Sequence, residues 1–167
     1  MSHARTPIVP DPSQIQDQLQ QLAAAAQTLN ELSDQLTKHV GDIETSLNKL
    51  NIGITANVKT EQWSDDEEGL SSTIWRLGYE KTSKQWGFVI ERITEDCRYP
   101  EAGTYESWAF KDAPREHRLL SVEKIPALLN ALLEKSKDVA SDISGKVSYA
   151  KSLATSLAMS KADGSKK

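Results

Sequence analysis

The sequence predicts an α+β protein: a long N-terminal coiled-coil helix, a four-stranded antiparallel β-meander, and a C-terminal helix that covers the sheet and returns along the first helix. Three observations carry this. Ile15, Leu22, Leu29, Leu36, Ile43 and Leu50 recur every seven residues, with no proline in the 36 positions they span. From Asn51 the apolar period falls from seven to two, and nine of the ten aromatic residues lie between Trp63 and Phe110. Beyond Asp112 leucines return at helical spacing up to Leu157.

Residues 1–12 contain Pro7, Pro10 and Pro12 and little to bury, so they read as a mobile arm ahead of a helix over 13–50 capped by Ser13. Opposite the heptad series, the second line of the seam is Leu19, Ala26, Ser33, Val40 and Leu47, with Leu32 beside it. Ala26 and Ser33 allow close approach but bury little. A stripe about 54 Å long cannot bury itself, so a partner helix must cover it. The seam residues Ile15, Leu19, Leu22, Leu29, Leu36, Val40, Ile43, Leu47 and Leu50 are therefore the candidate partner-binding surface, and a homo-oligomer through helices is expected.

Residues 51–111 form the sheet. Ile52, Ile54, Ala56 and Val58 alternate with polar residues up to the acidic stretch Ser64–Gly69, whose consecutive carboxylates lack the spacing of a calcium loop. A turn at Thr82 and Ser83 sets Tyr79 opposite Trp86, Leu77 opposite Phe88 and Trp75 opposite Ile90, and Gly78 opposite Gly87. Thr-Ser is a poor primed turn and Lys81 meets Lys84 in that register, so a longer loop of the same parity is the alternative. Pro100 and Gly103 mark a connection over Thr94–Gly103, and a fourth strand fits Thr104–Lys111. The aromatic residues on this sheet read as core rather than as a stacking platform.

Residues 112–160 are helical. Asp112 is placed as the cap of a short helix with Pro114 in its first turn, and Pro126 bends the chain or starts a second helix. Leu128, Leu129, Leu132 and Leu133 suit a helix lying on the sheet. Val139, Ile143, Val147, Ala150, Leu153 and Leu157 then form a thinner stripe, and Val139 and Ile143 are expected against Ile43, Leu47 and Leu50. Residues 161–167 read as a mobile tail.

The net charge of −4 is unevenly spread: −3 over residues 1–51, −5 over 52–112 and +4 over 113–167. So small a basic surplus disfavours nucleic acid as a partner. No apolar run spans a membrane, no secretory signal opens the chain, and Cys97 has no partner cysteine, so a cytoplasmic protein is expected. His3, His39 and His117 have no cysteine or second histidine at ligand spacing, and no phosphate loop is present, so neither metal nor cofactor is expected. Arg115, His117 and Arg118, beside Lys111 at a helix start, are a candidate anion-binding group.

The expected function is a non-catalytic assembly or adaptor protein that self-associates through the coiled coil and presents a small sheet domain to a protein partner. Two alternatives stand beside it. One is an enzyme of unrecognised type, for which Glu91, Arg92, Glu95 and Cys97 are the dense ionisable cluster; the other is a weak nucleic-acid binder using the basic C-terminal helix.

Overall fold

The computed structural model describes residues 11–64, 67–82 and 85–163, with side chains as far as Leu157. Residues 1–10 of the expected arm at 1–12, with His3, residues 164–167 of the expected tail at 161–167, Asp65 and Asp66 of the acidic stretch, and Ser83 and Lys84 of the hairpin turn lie outside the described residues, whereas Pro12 and residues 161–163 are helical. A long N-terminal helix, a four-stranded antiparallel sheet in the order β1-β2-β3-β4 and a long C-terminal helix form, as the residue patterns predict. The chain divides into two compact units, Met1–Asp42 and Ile43–Lys167.

The first unit is the outer part of helix α1, Pro12–Leu50. Its cap is Asp11 rather than Ser13. Asp11 Oδ1 accepts the Ser13 N–H at 3.1 Å and Oδ2 accepts the Ser13 hydroxyl at 2.8 Å. Pro12 then takes the first helical position, where its missing N–H costs nothing and its fixed φ suits the helix. The two bonds from Ser13 hold the Asp11 carboxyl below the usual carboxylate range.

The second unit begins with the last two turns of α1. Leu50 ends the helix, and Asn51 follows in the left-handed region (φ 48°), which its short polar side chain tolerates. Gly53, also at positive φ (65°), turns the chain into strand β1, Ala56–Ser64. Ile52 and Ile54 are half-buried but precede the strand. Strands β2, Ser71–Lys81, and β3, Trp86–Asp96, pair with Lys81 opposite Trp86, Tyr79 opposite Phe88, Leu77 opposite Ile90 and Trp75 opposite Arg92.

That register is two residues away from the one a Thr-Ser turn sets. The hairpin is closed by Thr82–Gln85, where both the Thr82 N–H and hydroxyl donate to the Gln85 carbonyl at 2.9 and 2.8 Å. The longer loop sets Lys81 opposite Trp86 and brings Arg76 opposite Glu91. A shift of two keeps every side chain on its predicted face. Gly78 now faces Val89, not Gly87; a Cβ on Gly78 would lie 3.0 Å from Val89 Cγ2, so the glycine leaves room for that valine.

Strand β4, Thr104–Ala109, is shorter than the expected Thr104–Lys111, because Phe110–Asp112 winds into a 3-10 turn that buries Phe110. Asp112 is therefore not the cap of helix α2, Arg115–Val122, which starts after Pro114 without a side-chain cap. Helix α3, Ile125–Asp163, carries Pro126 in its first turn. Ile125, Leu128 and Leu132 are buried, whereas Leu129 and Leu133 are exposed, so the sheet-facing stripe is narrower than the sequence reading. Lys135 Nζ donates to the Thr55 carbonyl at 2.7 Å and ties α3 to the segment entering β1.

The core sits on the sheet face shared by Trp75, Leu77, Tyr79, Phe88 and Ile90, all of them buried. Alternation puts these residues on one side, and burying each large side chain contributes about 1.5–3 kcal/mol.

Candidate functional site

The seam residues divide into an open and a closed set. Ile15, Leu19, Leu22 and Leu29 are exposed, Leu22 to 64%. Leu36 and Ile43 are half-buried, and Val40 and Leu47 are buried. Within the second unit, the end of α1 is anchored by polar side chains beside Leu47. Asn48 Oδ1 accepts the Tyr79 hydroxyl at 2.6 Å while its Nδ2 donates to the Trp86 carbonyl at 3.0 Å. Glu44 Oε1 accepts the Phe88 N–H at 2.6 Å, standing in where β4 has already ended opposite Val89. Burial pushes the Glu44 carboxyl above its ordinary pKa, against the opposing pull of that bond and of Lys111.

This anchoring has a consequence for the expected contact of Ile43, Leu47 and Leu50 with Val139 and Ile143. Leu50 is 67% and Ile143 56% exposed, so the chain does not close a seam at those positions. Helix α3 instead presents a continuous stripe of its own. Leu129, Ser136, Ile143, Ala150 and Leu157 repeat every seven residues, and Leu133, Ala140, Val147 and Ala154 supply the intervening line. All but half-buried Ser136 are exposed. The sequence pattern shows this stripe from Val139 through Ile143, Val147, Ala150 and Leu157; the exposed Leu129 and Leu133 extend it toward the start of the helix, past Ser136.

The second constellation surrounds Trp75. His117 of α2 stacks on its ring with centroids 3.3 Å apart and planes 12° from parallel, and Trp108 lies 5.7 Å away at 16°. The Arg92 guanidinium is 5.9 Å from the ring centroid and pairs with Glu106 at 2.7 Å. Strand β1 contributes Glu61 to the same side through a bulge: Lys59 opposes Arg76 and Glu61 opposes Trp75, leaving Thr60 as the extra residue. His117 Nδ1 lies 3.9 Å from Glu61 Oε2, too far for a hydrogen bond. Burial lowers the His117 pKa, with Glu116 and Glu61 opposing the shift and Arg92 adding to it. The imidazole is thus a neutral stacking partner at pH 7. Arg115 and Arg118 flank it on α2, both half-buried.

The ionisable cluster Glu91, Arg92, Glu95 and Cys97 is split by the pleat. Glu91 opposes Ser107 and points away from the core face, where the Tyr105 hydroxyl donates to its Oε1 at 2.6 Å; Arg92 points to the Trp75 side. The Glu91 bond raises the Tyr105 pKa, and burial followed by Glu91 raises that of Glu80. Cys97 is exposed, its N–H bonded to the Leu70 carbonyl at 2.8 Å, beside a cleft of about 250 Å³ lined by Glu95, Asp96, Pro100 and Gly103. A second cleft of about 210 Å³ lies where Asn48 and Asn51 meet Tyr79 and Trp86, whose rings stack at 5.5 Å. Among the described residues, no three His, Cys, Asp or Glu side chains gather as a metal site, and no helix is long and apolar enough to cross a membrane.

The fold and these surfaces define an α+β protein with two 39-residue helices bearing open apolar stripes. Comparison with protein-family models, curated proteins and solved structures returned no match.

Proposed function

We propose that the protein is a non-catalytic assembly or adaptor protein, self-associating through the α1 seam and presenting its sheet domain to a protein partner. One observation carries the reading: Ile15, Leu19, Leu22 and Leu29 form a single stripe on an unbroken helix and are exposed in the isolated chain. Such contiguous apolar surface marks a site of association.

Light scattering coupled to chromatography tests the proposal. The intact chain is expected to elute as an oligomer, and Leu22→Asp with Leu29→Asp to elute as a monomer with its helix and tryptophan signals retained. A monomeric wild type at all concentrations would overturn it.

A further inference from the structure

We infer that the α1 seam of one copy docks on the α3 stripe of a second copy, so that assembly pairs unlike helices rather than α1 with α1. This rests on the proposed self-association and names the surface that the seam meets. The two helices match in length at 39 residues, and each carries a heptad stripe with exposed aliphatic side chains.

The positions flanking each stripe decide which pairing is favoured. On α3 the charged flanking residues are Lys137, whose ammonium already pairs with Glu134 at 2.7 Å, and Lys146 and Lys151, while Asp138 and Asp142 fall on the outer positions. Pairing two α3 stripes would set ammonium against ammonium. On α1, from Pro12 to Thr37, the flanks are uncharged and include Gln16 and Gln18, whose amide oxygens can accept from lysine. That stretch also holds Asp17, Glu31 and Asp34 and no Lys or Arg. Its acids lie on outer positions, so they give the helix a negative field rather than close ion pairs, and the field favours the lysine-flanked stripe over a second acidic helix.

The area is sufficient. Five exposed aliphatic side chains on α1 (Ile15, Leu19, Leu22, Leu29, Leu32), spread over about 26 Å of helix, can meet about four of the six on α3 (Leu129, Leu133, Ile143, Val147, Leu153, Leu157), which are spread over about 42 Å. At about 80 Å² each they bury roughly 700 Å² per helix pair, and two such pairs in a two-fold dimer bury roughly 1,400 Å², within the range of stable interfaces.

The test uses the full chain with a photoreactive benzophenone side chain at exposed Ala25, mixed with unmodified chain grown in heavy nitrogen, irradiated and mapped by mass spectrometry. Mixed-isotope peptides joining α1 to residues 129–157 are expected. Inter-chain products confined to α1, or absent from α3, overturn the inference while an oligomeric mass leaves self-association standing; a monomeric mass overturns both. The variant Lys146→Glu with Lys151→Glu, at two exposed positions, gives an independent reading: dimer affinity falls about tenfold if α3 is the partner and is unchanged if α1 pairs with α1.

Discussion

The inner face of the sheet and the stripes of the long helices are built from the same aliphatic chemistry and end in opposite states. Leu77 and Ile90 have no exposed surface, whereas Leu22 and Leu157 are each about two-thirds exposed. The sheet face is closed by the chain itself, because a strand's apolar face meets its neighbour through a short loop and then the helices that follow in sequence. A heptad stripe carries no such internal partner; it specifies that a helix must cover it and leaves open which one. The difference separates what holds this fold together from what is available for assembly.

Leu77→Ala breaks the comparison on its closed side. It is expected to cost about 2–5 kcal/mol in denaturant unfolding, while Leu22→Ala on the open stripe changes the unfolding free energy of the monomer by less than about 0.5 kcal/mol. Equal costs would erase the distinction.

A smaller effect is expected at the anchor between α1 and the hairpin. Tyr79→Phe removes the hydroxyl donated to Asn48 and is expected to cost about 1 kcal/mol. An unchanged midpoint would mean that water replaces the bond without loss.

The smallest effect is pH-dependent and belongs to the Trp75–His117 stack. Burial depresses the His117 pKa below its unfolded value of 6.5, so the neutral ring is the form the fold favours. The contribution is complete above pH 6.5 and is lost as pH falls through the depressed folded value. Wild-type melting temperature is therefore expected to decline on acidification below pH 6.5 more steeply than that of His117→Gln, with tryptophan emission reporting the loosened stack. Parallel profiles would show that the ring does not titrate against the fold.

Legibility followed the range of the interactions. The side of the sheet on which Trp75, Leu77, Tyr79, Phe88 and Ile90 lie could be read from alternation, which is local. The register could not, because the Thr82–Gln85 closure and the opposition of Arg76 to Glu91 depend on how the two strands meet across the ladder. The bulge at Thr60 leaves no mark in composition, yet it brings Glu61 to the Trp75 side. His117 was singled out for charge and serves as a neutral ring, since its environment comes from β2 and β3, more than twenty residues away. Its spacing to Ser121, fully buried one helical turn later, is the local signal that this face of α2 points inward. On α3, the seven-residue repeat from Leu129 was present in the sequence but masked by the interleaved sheet-facing set Ile125, Leu128 and Leu132.

The central claim, that the outer α1 seam is covered by another copy, is tested most directly by amide hydrogen exchange of the intact protein across a concentration series. Protection of residues 15–29 is expected to rise with protein concentration while that of the strand around Leu77 stays constant. Protection of residues 15–29 that is independent of concentration would contradict the account.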